Sequence, residues 1–171
     1  AMNKIVNLKD LFVEQLRDRY DSAKQQLEII PKLTEQSEIS YLKGILEKLR
    51  ARSQKHVAIL EGIFLELDLD DINGERCEAT KALIYETMEI IERASDPQVL
   101  EAGLVISLQH IIHHDISGFG ACRSYAKALG LKKATDQLDT MLKDEKEIDG
   151  ELTQLAITRL NEEAIAPIIE S

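Results

Sequence analysis

Apolar residues recur every three or four positions along most of the chain, the period of helices that bury one face. In a first segment, beginning near Leu8, the inward residues are Leu8, Phe12, Leu16, Ala23, Leu27 and Ile30, and Pro31 is expected to kink or end the helix. A second segment runs from about residue 39 to residue 67, with Leu42, Leu46, Leu49, Leu60, Ile63, Phe64 and Leu67 on one side. Polar residues 68–74 break the pattern and read as a loop, and a shorter third helix covers about residues 76–93. Ser95-Asp96-Pro97 opens the fourth helix with a cap and a proline tolerated in a first turn; Gly130 stops it after about Leu129. The fifth runs from Lys132 to at least Ala156, although Gly150 inside it is a poor helix former. After Arg159 the pattern weakens. No β-type alternation longer than a few residues occurs. Four long helices and a short one predict an all-α four-helix bundle with an additional short helix in the connection. The expected domain is single, covering residues 1–171, with residues 1–7 and 158–171 as loosely ordered ends.

Some polar residues fall inside these apolar stripes. At about 100° per residue, the apolar arc of the fourth helix holds Leu104, Leu108, Ile111, Ile112, Phe119 and Cys122, with Asp115 near its middle. His110, His113 and His114 fall on the opposite side with Ser117 and Ser124, as a polar or subunit-facing surface. On the fifth helix Glu145 is central to the face made by Leu138, Met141, Leu142, Ile148 and Leu152, and Asp149 sits beside it. The second helix places Ser53 and His56 in its arc and Arg52 at the edge, and the first offers Ala23 at the same level. A polar middle layer of Arg52, His56, Asp115, Glu145 and Asp149 is therefore expected. Unpaired buried carboxylates are costly, so these must be paired, protonated or metal-bound. Inward carboxylates and a histidine on facing helices are ingredients of a di-metal carboxylate centre. His56, Asp115, Glu145 and Asp149 are the residues of that layer able to ligate a metal. The preferred reading is metal-free, without a cofactor or catalysis, because the Arg52 guanidinium can stand in for an ion's charge and fork across a carboxylate.

The 171 residues suffice for a sizeable core, and 44% hydrophobic residues with only 4% aromatics suit a helical bundle. A formal net charge of -10 leaves no basic face for phosphates, which argues against a nucleic-acid partner. No apolar run has spanning length and the polar faces are acidic or mixed, so no membrane attachment is expected. Cys77 and Cys122 are too few and too far apart for a disulfide framework or a zinc knuckle, and Cys122, on an apolar face, suggests a buried free thiol in a reducing compartment, the cytoplasm. No phosphate-binding loop, dinucleotide fingerprint, nucleophile elbow or zinc-protease helix is present.

Five stretches occur in a familiar order and spacing: LRDRYDSAKQQLEIIPKL, LEGIFLELD, CEATKALIYETMEII, FGACRSYAKALGL and DEKEIDGELTQLA. In these the chain resembles the YciE/YciF family of ferritin-like stress-associated proteins, from about Leu8 to Ala156. The resemblance implies a ferritin-like four-helix bundle, a homodimer, and in typical members a di-iron site. Against the family's pattern, Ala23 replaces a glutamate of the first helix, Arg52 a glutamate and His56 a glutamine of the second. In the fourth helix Ile112 replaces a glutamate, Asp115 shortens another and His114 replaces a tyrosine. Asp144, Glu145 and Asp149 preserve the fifth-helix pattern, and Glu86 matches an acidic position of the third. Three expected carboxylates are missing, one of them exchanged for a cation, which identifies the chain as a member with a degenerate di-iron site, and His56, Asp115, Glu145 and Asp149 remain as a reduced candidate site for iron or manganese.

Overall fold

A computed structural model describes residues 3–69, 71–74 and 76–165. It contains α1 (Leu8–Gln36), α2 (Ser40–Glu66), α3 (Glu78–Arg93), α4 (Pro97–Ala128) and α5 (Lys132–Leu155). A π-type turn at Ala156–Leu160 and a last turn, α6 (Asn161–Glu163), follow. No strand occurs among the described residues.

Buried positions alternate at intervals of four and three along each long helix, the spacing that keeps one seam turned toward neighbouring helices. In α1 they are Phe12, Leu16, Arg19, Ala23, Gln26, Ile30 and Leu33; in α5 they are Ala134, Leu138, Met141, Glu145, Ile148, Leu152 and Leu155. The same rhythm runs from Leu42 to Ile63 in α2 and from Glu101 to Ala126 in α4. Two apolar clusters result. One joins the end of α1, the beginnings of α2 and α4 and the end of α5 through Ile30, Leu33, Leu46, Leu49, Leu104 and Leu152. The other joins the opposite ends through Phe12, Leu16, Leu60, Phe64, Phe119 and Leu138. Their composition fixes the directions: α1 and α5 run one way, α2 and α4 the other, with α3 in the single long crossover. This is the ferritin-like arrangement of a four-helix bundle.

Local signals account for three of the ends. Asn7 caps α1 by accepting from the Asp10 N–H, and Asp96 caps α4 by accepting from the Gln98 and Val99 N–H groups. Gly130 ends α4 at φ 74°, a left-handed conformation suited to glycine, while the Leu131 N–H closes back on the Ala126 carbonyl at 2.9 Å. At the start of α2 the cap comes from another helix. The buried Glu101 carboxylate of α4 accepts from Ser37 Oγ at 2.9 Å and from the Glu38 and Ile39 N–H groups at 2.5 and 3.3 Å. A carboxylate is well placed there against the positive end of the helix.

Two helix ends lie beyond the points the sequence suggests. Of the two outcomes expected at Pro31, a kink or an end, the helix does not end there, and α1 continues to Gln36. A proline inside a helix costs roughly 3 kcal/mol, but Pro31 is exposed while Ile29, Ile30 and Leu33 around it are buried, and their packing holds the helix together. The C-terminal end also stays docked beyond residue 158: Leu160 is buried in the first apolar cluster, and helix continues to Glu163. The remainder of that predicted loose end, residues 166–171, and residues 1–2 lie outside the described residues.

Candidate functional site

Between the two apolar clusters the seam positions turn polar on all four long helices. From α1 come Arg19, Ser22 and Gln26, from α2 Arg52, Ser53 and His56, from α4 Asp115 and from α5 Glu145, all buried. Two guanidinium groups thus meet two carboxylates in a space sealed at both ends by hydrocarbon. Arg19 Nη1 donates to Asp115 Oδ1 at 2.7 Å, and Arg52 Nη1 donates to Glu145 Oε2 at 2.5 Å while lying 3.9 Å from Asp115 Oδ2. Gln26 ties the pairs together: its Nε2 donates to Asp115 Oδ2 at 2.8 Å and its Oε1 accepts from Arg52 Nη2 at 2.6 Å. Ser22 Oγ adds a 3.2 Å bond to Asp115 Oδ1, and Ser53 Oγ accepts from Arg52 Nη2 at 2.9 Å.

His56 connects this layer to its rim. Its Nε2 is 3.0 Å from Asp144 Oδ2 and its Nδ1 is 3.4 Å from Glu145 Oε1, while the ring packs edge-on against Phe119. The 3.4 Å approach lacks hydrogen-bond geometry, and Glu145 Oε1 is left without a hydrogen bond, as are Arg19 Nε and Arg52 Nε. Gly118 provides the room for Arg19: a methyl group there would lie 2.3 Å from Arg19 Nε.

Burial, then the neighbouring Glu145, pushes the Asp115 carboxyl above its ordinary value of 3.8, against the pull of Arg19 and Arg52. Burial also works against the charge on Arg19, but Asp115 and Asp18 outweigh it and hold the guanidinium above its ordinary value. The two directions oppose one another in a single ion pair. We stand behind a permanently charged Arg19, because arginine does not deprotonate in proteins, with a desolvated Asp115 that holds a proton more readily than a free aspartate. At the rim the balance reverses. Burial would raise Asp144, but hydrogen bonds from Lys55 and His56 win and hold it below 3.8.

Of the residues expected in the middle layer, Arg52, His56, Asp115 and Glu145 are brought together and Asp149 is not. Asp149 Oδ1 turns to the α4–α5 surface, 3.2 Å from Gln109 Nε2 and 3.1 Å from His113 Nε2. One turn beyond Glu145, its place on the inner seam is taken by Ile148. His110 and His113 are exposed as expected. His114 is not: it is half-buried toward α1 and α3, with Nε2 2.8 Å from Arg19 Nη2 and 3.7 Å from Cys77 Sγ. A wheel drawn for four helices places it outside, whereas α3, docked across α1 and α4, covers it. The sequence reading also missed Arg19 and Gln26, although both continue the four–three alternation between Leu16 and Ile30. Their polarity concealed them. Glu86, matched to an acidic family position, is exposed on α3.

Comparison with known proteins agrees with this architecture. Residues 7–165 match the family described as domain of unknown function DUF892. Protein YciF of Escherichia coli K12 is 27% identical over 157 residues, covering 92% of this chain and 95% of YciF. The crystal structure of the E. coli stress protein YciF superposes with a TM-score of 0.87 at 28% identity, covering 92% of this chain and 99% of that one. YcfI from Rhodopseudomonas palustris gives a TM-score of 0.85 at 29% identity over 90% and 97% of the two chains. With nearly its whole length matched and its helices superposed on YciF, the chain belongs to the DUF892 family, in the YciE/YciF group of ferritin-like proteins.

Proposed function

We propose that this chain is a non-catalytic, stress-associated member of its family, a cytoplasmic homodimer whose buried arginine–carboxylate–histidine layer stands in place of a di-iron site. The carrying observation is that both central carboxylates already have a guanidinium partner, Arg19 for Asp115 and Arg52 for Glu145. A di-metal centre fits these residues poorly. Asp115 accepts on both oxygens, Glu145 Oε2 is held by Arg52, and the nearby guanidinium charges would repel a divalent ion. Two relatives support the reading at the level of role: YciF is described as a stress protein, and YcfI is provisionally described as structural. No helix among the described residues is long and apolar enough to cross a membrane, and the net charge of -10 opposes nucleic acid. For the homodimer, exposed Tyr85 and Met88 on α3 and Val99 and Ile106 on α4 offer apolar surface for a second copy.

A second reading keeps an iron or manganese ion on a reduced set of ligands, His56, Asp115 and Glu145, with Asp149 as an outlying member. The free Glu145 Oε1 facing His56 Nδ1 favours it, but Arg52 would have to leave. Anaerobic Fe(II) or Mn(II) addition, exposure to air, desalting and elemental analysis separate the two. Our reading expects Fe(II) oxidation at the buffer rate and no retained metal that depends on Glu145. About one iron or manganese per chain, lost in both Glu145→Gln and His56→Ala, would establish the second reading.

A further inference from the structure

Outside the central layer, three metal-ligating side chains converge from three helices. Asp18 of α1, Cys77 at the N-cap of α3 and His114 of α4 each direct one donor atom to a common place, all within 4.8 Å of one another. His114 Nε2 lies 3.7 Å from Cys77 Sγ and 4.0 Å from Asp18 Oδ2. Tetrahedral zinc, at about 2.3 Å from sulfur and 2.0–2.2 Å from nitrogen and oxygen, needs these donors roughly 3.3–3.6 Å apart. The His114–Cys77 separation is close to that spacing, the His114–Asp18 separation is about half an ångström wider, and the set as a whole, spread over as much as 4.8 Å, must draw in by up to about 1 Å to close on an ion. The backbone around it is pinned: the Cys77 N–H donates to Asp21 Oδ2 at 2.7 Å, and the Cys77 carbonyl accepts from Gln25 Nε2 at 3.1 Å. The Asp18 and His114 side chains are each 30% exposed, so an ion can reach two of the three donors from solvent, and Asp18 also lines an open depression of about 780 Å³ formed by α1, the segment before it and the α2–α3 connection.

We propose that Asp18, Cys77 and His114 form a three-ligand site for zinc or a similar borderline divalent ion, with the fourth position open to water. One sulfur, one imidazole nitrogen and one carboxylate oxygen favour such an ion over magnesium or calcium, which take oxygen ligands. The competitor for the place is internal. Arg19 Nη2 bonds Asp18 Oδ2 at 2.6 Å and His114 Nε2 at 2.8 Å, so an entering ion displaces those two bonds. The ion therefore enters against one guanidinium rather than the two of the central layer, and Arg19 must swing Nη2 aside while Nη1 stays with Asp115, 2.7 Å away, so that its charge remains paired. Asp18, Asp115 and a Cys77 thiolate supply three negative charges against three positive ones from the ion and the guanidinium. Binding exchanges the thiol proton for the metal, and the bound ion clips α3 to α1 and α4.

Cobalt(II) titration of the full-length, tag-free, reduced chain, stripped beforehand with a chelator, tests the site. The expected result is one equivalent bound with tetrahedral visible bands and a thiolate-to-cobalt charge-transfer band, all displaced by one equivalent of zinc. Cys77→Ser should abolish the charge-transfer band and weaken binding at least tenfold, His114→Gln should weaken it comparably, and Cys122→Ser should change neither. Absence of the charge-transfer band overturns the proposal, as does binding that survives unchanged in Cys77→Ser, which would be an adventitious ion at the exposed histidines. Cobalt lost in Glu145→Gln with circular dichroism unchanged would place the ion in the central layer instead. A charge-transfer band that Cys77→Ser removes and Cys122→Ser keeps reports Cys77, which is outside the central layer, so its failure leaves the reading of that layer standing.

Discussion

The middle of the bundle and the crevice beneath α3 lie side by side and share Arg19, yet they treat charge in opposite ways. In the middle, two guanidiniums and two carboxylates are matched within 2.5–3.9 Å, and Gln26 joins the pairs. In the crevice, Asp18 and His114 share the other terminal nitrogen of Arg19, and the Cys77 thiol lies 3.3 Å from Thr80 Oγ1 and 3.7 Å from His114 Nε2. Burial explains the contrast. Asp115 and Glu145 are almost completely buried, whereas the Asp18 and His114 side chains are each 30% exposed. A charge removed from water requires a fixed partner, while one that keeps part of its hydration can accept a partner that exchanges.

The strongest way to break the comparison is to remove Arg52, which serves the middle alone. Arg52→Ala strands the Glu145 carboxylate and should destabilise the fold by about 3–5 kcal/mol in urea unfolding. Combining Arg52→Met with Glu145→Leu should restore most of that loss, since hydrocarbon of similar volume removes the uncompensated charge. An unchanged unfolding midpoint in Arg52→Ala would sink the ion-pair account of the centre.

Gly118→Ala acts on the shared residue. On helix propensity alone it should stabilise by up to about 1 kcal/mol, but the new methyl would lie 2.3 Å from Arg19 Nε. Overpacking of this kind costs about 1–3 kcal/mol, so a lowered melting temperature is expected. A raised one would show that Arg19 can move aside at little cost.

A smaller effect distinguishes centre from rim by pH. Asp115 is held above its ordinary 3.8, so its contribution is complete below that value and is lost as pH rises through its folded value. Asp144 is held below 3.8, so its contribution is complete above 3.8 and is lost as pH falls through its folded value. Unfolding free energies measured between about pH 3 and pH 7 should therefore lose a downward slope in Asp115→Asn and an acid-side loss in Asp144→Asn. Slopes of the same sign for both variants would contradict the opposite environments. The smallest change is expected at Asp149, whose contacts are at the surface. Asp149→Asn should shift stability by no more than about 1 kcal/mol, and a loss of several would return it to the central layer.

Periodicity alone made the five helices legible because helix formation and burial of one face are local consequences of residue spacing. Asp115, Glu145, Arg52 and His56 could be placed on the inner seam for the same reason, as apolar neighbours three and four positions away define the face. Their partners were less accessible. Arg19 and Gln26 fit the seam but resemble solvated residues by type, and only packing against Asp115 shows what they do. Asp149 and His114 failed for a related reason: a helical wheel gives direction on one helix, not which neighbour stands there.

By itself the sequence determined a bundle of four long helices and a short one with ionisable groups across its waist, since hydrophobic spacing sets helix length and facing, and the family resemblance implied that the bundle is ferritin-like. Tertiary structure alone decided which charges meet. Pairing depends on distances between residues remote in the chain, 96 positions apart for Arg19 and Asp115 and 93 for Arg52 and Glu145. The same three-dimensional packing brought His114 under α3, beside a thiol 37 positions away.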